Sequence, residues 1–204
     1  MSIVLVGSTS GSITLQEPAV AGTTVLTLPT TSGTVLTSAS SVTSSQLPVG
    51  SVLQVVQTIK TNTFSTTSSS FVDITGLTVT ITPASASNKI LIFAQVSSSG
   101  MNTNSAIFKL AGGNTASYIG DASGSEVRSV VGGGFQVNLT NLLLSQSLIY
   151  LDSPATTSAV TYSVQCTVGG STGNPVQVNF AIGTSGANTF ARGASSIIVM
   201  EIAA

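Results

Sequence analysis

In the strongest apolar runs of this chain, hydrophobic side chains recur at every second position and Ser, Thr or Gln fill the places between. Leu77-Thr78-Val79-Thr80-Ile81-Thr82 alternates strictly, which predicts a strand with one buried and one wet face. Val160-Thr161-Tyr162-Ser163-Val164-Gln165-Cys166-Thr167-Val168 keeps the same period and turns the Cys166 sulfur toward a core. Ile90-Leu91-Ile92-Phe93-Ala94 is apolar without a break, as is Ile197-Ile198-Val199-Met200, and both read as strands covered on two sides. Strands are predicted at about 52–59, 71–74, 77–82, 89–97, 105–110, 115–119, 127–131, 135–139, 142–151, 160–168, 175–182 and 195–203. The core falls on Val79, Ile81, Ile90, Ile92, Val164, Cys166, Phe180 and Ile198.

No segment shows three or four amphipathic helical turns, and the nearest candidate, Leu139 to Leu148, carries Asn and Ser and lacks charged helix formers. The predicted class is therefore all-β, a jelly-roll-like antiparallel β-sandwich preceded by a short extended β stem. The stem occupies residues 1–46, where Ile13-Thr14-Leu15, Thr24-Val25-Leu26-Thr27 and Thr34-Val35-Leu36-Thr37 recur between Gly22, Pro29 and Gly33. Such short strand units are marginal alone, so the segment is expected to dock or trimerise, with the sandwich knob over 47–204. The polar run Ser38 to Ser45 and the following Pro48 and Gly50 mark the boundary.

Composition narrows the functions this fold can serve. The chain has 204 residues, no His, no Trp, one Cys and only 5% charged residues, against about 25% in an average soluble domain. A Ser/His or Cys/His catalytic pair cannot be assembled, and a zinc site lacks imidazole and a second thiol. The expectation is a protein that is not an enzyme and takes no cofactor. Five basic against six acidic residues leave no electrostatic footprint for nucleic acid. No apolar run reaches the length of a membrane span, and Ile3 to Val6 is too short and has no basic flank to act as a signal peptide. Synthesis in the cytoplasm is expected, followed by work within a neutral, hydroxyl-covered assembly.

Three local features invite chemistry. Gly132-Gly133-Gly134 has no following Gly-Lys-Ser/Thr and reads as a turn. Cys166 reads as a buried, inert thiol. Gly120-Asp121-Ala122-Ser123-Gly124-Ser125-Glu126-Val127-Arg128 reads as a solvated hairpin with a Glu126/Arg128 ion pair; calcium ligation by Asp121, Ser123, Ser125 and Glu126, or a glycosidase carboxylate pair, stand as alternatives. Beyond Tyr118 this segment offers no aromatic platform for a sugar. Contact with a binding partner is expected in loops, at Ser99, Asn102 and Asn104 within 97–104, Asp121 and Ser125 within 120–128, Asn174 within 169–174 and Asn188 within 183–192.

Residues 11–37, from Gly-Ser-Ile-Thr-Leu-Gln-Glu-Pro to Gly-Thr-Val-Leu-Thr, resemble a segment of tail fibre and other virion surface proteins of tailed bacteriophages, especially marine ones. Gly50 to Gln57, Gly76-Leu77-Thr78-Val79-Thr80-Ile81-Thr82-Pro83, Lys89 to Ile92 and Ser195-Ser196-Ile197-Ile198-Val199-Met200-Glu201-Ile202 are similar to a small β-sandwich domain of the same proteins. The resemblance implies a virion structural protein, most often a homotrimer, held to other virion proteins by its N-terminal segment. It implies no catalytic residues. At 204 residues the chain is short for a tail fibre with a long shaft, so it implies a short host-adhesion fibre binding a surface glycan or protein, or a capsid decoration or head fibre protein. A polysaccharide-degrading tailspike enzyme and a cellular adhesin are the competing classes.

Overall fold

A computed structural model describes residues 2–6, 9, 12–16, 30, 32, 42, 43, 46–100, 105–134, 142–170, 173–181 and 190–204. The chain divides into two compact units, Met1–Ser41 and Val42–Ala204. In the first, β1 (Ser2–Val6) and β2 (Ser12–Gln16) form an antiparallel hairpin with Ser2 opposite Gln16 and Val6 opposite Ser12. The two Thr-Val-Leu-Thr repeats lie outside the described residues.

The second unit is an antiparallel sandwich. Its strands are β3 (Val52–Lys60), β4 (Phe64–Thr66), β5 (Val72–Ile81), β6 (Lys89–Gly100) and β7 (Ser105–Ala111). They are followed by β8 (Val131–Gly134), β9 (Leu144–Asp152), β10 (Val160–Gly169), β11 (Val176–Val178) and β12 (Ser195–Ile202). One sheet runs β3-β12-β6-β11-β4 with β9 alongside β6, and the other runs β5-β10-β7-β8. The chain changes sheet between β4 and β5, β5 and β6, β6 and β7, β8 and β9, β9 and β10, and β10 and β11, so the core is stitched from both sides. No helix among the described residues is long and apolar enough to cross a membrane.

Alternation decides which side chains enter the core. Ile74, Leu77, Val79 and Ile81 of β5, Tyr162, Val164 and Cys166 of β10 and Phe108 of β7 are buried against Ile90, Ile92, Val96, Leu148, Ile197 and Val199 of the facing sheet. Six of the eight expected core residues are among the buried ones, and Phe180 and Ile198 are not. Phe180 is half-buried and bridges to Arg192, whose guanidinium lies 5.4 Å from the ring centre. Ile198 points to the opposite face from Ile197 and Val199, so β12 contributes Ile197 and Val199 to the core and turns Ile198 and Met200 outward.

Several predicted elements differ for local reasons. The two strands expected at 71–74 and 77–82 are one strand, β5, whose pairing with β10 slips between Ser163 and Gln165. Gly76, at φ 82°, supplies the left-handed residue that this bulge requires. The expected strand at 115–119 is a 3₁₀ turn, Thr115–Ser117. The expected strand at 127–131 begins only at Val131, and the triple glycine that reads as a turn is part of β8, paired with Ser105 to Ile107. The expected strand at 135–139 falls outside the described residues, and β4 was not foreseen because Phe64-Ser65-Thr66 is too short to show a period.

Candidate functional site

The exposed edge of the sandwich next to β8 and β9 carries a built cavity, and its construction starts with a buried carboxylate. Asp152, fully buried at the end of β9, accepts the Tyr162 hydroxyl at 2.6 Å and the Asn114 backbone N–H at 3.2 Å. Burial, then the hydrogen bond and charge of Asp152, push the Tyr162 phenol far above its ordinary range, so it stays a donor. Asn114 Nδ2 donates to Ser153 O at 2.5 Å, and Thr115 Oγ1 to Gly112 O at 2.7 Å. These contacts turn the chain sharply after β7 and make a 3₁₀ turn where local propensity favours a strand. Gly113 is required there: its φ is 51°, and a Cβ would lie 2.1 Å from Asp152 Oδ2.

The turn delivers Tyr118 onto Tyr150 of β9, with ring centres 4.6 Å apart and planes 17° from parallel. The following loop closes on itself. Gly120 N donates to Ser129 O at 3.0 Å, Glu126 N to Ser123 O at 3.0 Å, and Val130 N to Phe108 O at 3.0 Å. Arg128 Nε donates to Gly120 O at 2.7 Å, so a contact to backbone closes the loop where the ion pair with Glu126 was expected. Beside the loop base lies an open cavity of about 290 Å³, lined by Ser117, Tyr118, Ile119, Gly120, Ser129 and Val130.

This lining is uncharged and amphipathic: one aromatic ring, two aliphatic side chains, two hydroxyls and backbone amides. A ring of this kind stacks on the C–H face of a pyranose, while hydroxyls and peptide groups exchange hydrogen bonds with its rim. Asp121 and Ser125 are exposed on the loop that starts and ends at the cavity. Among the described residues no three His, Cys, Asp or Glu side chains form a cluster.

The other expected contact residues are distributed differently. Ser99 is not in a loop: it lies inside β6, is 1% exposed, and its Oγ donates to Phe180 O at 2.8 Å. A run of serines looks like a loop, but each small hydroxyl can be buried in a strand when a carbonyl takes its proton. Asn174 is half-buried ahead of β11. Asn102, Asn104 and Asn188 lie outside the described residues. Sequence reasoning singled out Tyr118 but missed Tyr150, which is 32 positions away and reaches Tyr118 only because β9 forms the sheet edge. Cys166 is buried in β10 and its thiol is pushed up to about 12 by burial, the state of an unreactive core residue.

No protein-family model matches the chain, and no curated protein matches it.

Proposed function

We propose that the chain is a non-enzymatic structural protein of a tailed-bacteriophage virion, a short trimeric surface fibre. Its N-terminal unit anchors it to other virion proteins, and its sandwich presents the 120–130 loop and the cavity beside it to a glycan of the host surface. The observation that carries this reading is the uncharged, tyrosine-walled cavity at an exposed edge of the sandwich. The segments that resemble phage virion proteins support it too: Gly76 to Ile81 lies in β5 and Ser195 to Ile202 is β12, one from each sheet.

A site with one ring and a few hydroxyls binds weakly, so adhesion depends on many copies acting together. Few ionic contacts are involved, and adsorption responds little to salt. The test is made on particles. Immunogold labelling of purified virions with antibody to this chain locates it on the tail or on the shell, and adsorption to host cells is compared for wild type and for a loop with 121–127 shortened. Label on a tail fibre and a several-fold loss of adsorption are expected. Absence from the particle overturns the virion reading; label on the shell with unchanged adsorption replaces the fibre by a capsid decoration protein. Release of sugar fragments from host polysaccharide by the purified chain overturns the non-enzymatic reading.

A further inference from the structure

The two sheets of the sandwich finish their outer faces in opposite ways. On the four-stranded sheet, Thr80 Oγ1 and Thr161 Oγ1 share a hydrogen bond of 2.7 Å, and Ser163 Oγ and Gln165 Nε2 donate to Asp73 Oδ1 at 2.7 and 3.2 Å. That surface is polar, self-satisfied and suited to water. The six-stranded sheet uses the same alternation and turns apolar side chains outward.

Register assigns its rows. Val55, Met200, Leu91 and Leu151 stand side by side across β3, β12, β6 and β9. The next row is Gln57, Ile198, Phe93 and Ile149. Val52 and Ile202 extend the apolar area at one end up to Lys89, and Ile59, Ser196, Gln95 and Ser147 border it at the other. Val55 is 57%, Ile59 59% and Ile149 49% exposed. A dimple of about 200 Å³ is lined by Phe93, Ile149 and Ile198 together with Gln95, Ser147 and Ser196, and Val55 and Ile59 stand exposed on the edge strand β3.

We propose that this face is where one copy of the chain packs against another. The inference rests on the reading of the chain as self-associating and names the surface responsible. Four strands about 4.8 Å apart and four rows about 6.8 Å apart give a footprint of about 500 Å². Each pair of contacting copies then buries up to about 1,000 Å² in all, where specific interfaces begin. Its four rows hold no charged side chain except Lys89 at a corner, so no pattern of charge selects a different protein. Exposed Val55 and Ile59 on β3 and the dimple between β12, β6 and β9 are carried by every copy, so β3 of one copy can meet the dimple of the next, the head-to-tail contact that a closed trimer repeats. With a formal charge of −1 over 204 residues, copies do not repel one another.

The test uses the full chain. Wild type is expected to sediment as an oligomer, and Val55→Lys combined with Ile149→Lys as a single chain of 20.3 kDa with an unchanged far-ultraviolet spectrum. Thr78→Lys, on the polar face, keeps the wild-type mass. A second probe replaces charge by a thiol: Ile149→Cys is labelled by maleimide about tenfold more slowly than Thr78→Cys when nine-tenths of the face is covered. Cys166 stays silent because it is buried. If the lysine variant loses its β spectrum, the thiol variant decides alone. A wild-type oligomer that survives both lysines, with free labelling at position 149, overturns the face and leaves self-association standing. A single-chain wild type with free labelling overturns both. A single-chain wild type with protection at 149 also overturns the proposal and assigns the cover to another part of the same chain.

Discussion

Replacing Glu201 should loosen the sandwich more than any other single polar substitution in β12, and by an amount the contacts define. Glu201 is fully buried on the inner face of β12. Its Oε1 accepts Ala84 N at 2.7 Å and Asn88 Nδ2 at 2.6 Å, and its Oε2 accepts Gln54 Nε2 at 2.5 Å. One carboxylate thus ties β3, β12 and the connection between β5 and β6 together. Glu201→Ala strands three donors, of which Asn88 is itself buried. At about 1–3 kcal/mol for each buried donor left unpaired, with the half-buried Gln54 and the exposed Ala84 at the low end, the loss is about 3–5 kcal/mol. For a unit of this size, 1 kcal/mol moves the midpoint about 2–4 °C, so Tm falls by about 6–20 °C. Glu201→Gln keeps the volume and one acceptor oxygen but sets an amide donor against Gln54 Nε2, which already donates to Thr82 O at 2.8 Å; about 1–2 kcal/mol is expected.

The same group sets an acid dependence. Burial raises the Glu201 pKa, but the hydrogen bonds from Asn88, Gln54 and the Ala84 and Ser85 backbone outweigh burial and hold it below the ordinary glutamate value. A carboxyl whose pKa is lowered by folding stabilises fully above its unfolded pKa of about 4.3, and loses that contribution as pH falls through the lower folded value. Melting followed by circular dichroism between pH 7 and pH 2 should therefore show a flat upper range and an acid fall that is shallower in Glu201→Gln. A Glu201→Ala protein melting within a degree of wild type, or an acid fall identical in Glu201→Gln, would refute the reasoning.

Ile92→Asp should abolish folding, since an unpaired charge in the core costs several kcal/mol, while Thr80→Asp on the polar face lowers Tm only slightly; equal damage at both sites contradicts the observed strand phase. Gly113→Ala should destabilise by about 1–3 kcal/mol through strain at positive φ together with the clash at Asp152, measurable by urea denaturation, and a neutral outcome would mean the turn is not held by that carboxylate. Tyr118→Ala should cut adsorption to host cells several-fold per loss of about 0.5–1.5 kcal/mol of aromatic contact while leaving the oligomer mass unchanged, and unchanged adsorption would remove the cavity from the binding surface.

The strands that face two different environments were legible: β5 and β10 alternate because one side meets the core and the other meets water, and the expected phase of Val79, Ile81, Val164 and Cys166 matches their burial. What lay beyond the sequence was contact between distant positions. The turn at Thr115 owes its shape to Asp152, and Tyr118 owes its stacking partner to the edge position of β9. Ser99 looked like loop because composition carries no record of a carbonyl such as Phe180 O waiting at hydrogen-bond distance.

The phase error at Ile198 has a different origin and carries more information. When both faces of a strand are apolar, alternation no longer says which face is the core, and Ile197-Ile198-Val199-Met200 was read as covered on both sides. Within the sandwich only Ile197 and Val199 are covered by the opposite sheet. A monomer gains nothing from Ile198 and Met200 over the threonines that occupy equivalent outward positions on β5, because both residue types suit a strand and only the hydroxyl suits water. Apolar surface left in water costs about 25 cal/mol for each Å², so every 100 Å² exposed by side chains such as Val55, Ile59 and Ile149 forgoes about 2.5 kcal/mol until it is covered. On the proposal that a second copy covers this face, the run that misled the assignment of Ile198 is itself the mark of that contact.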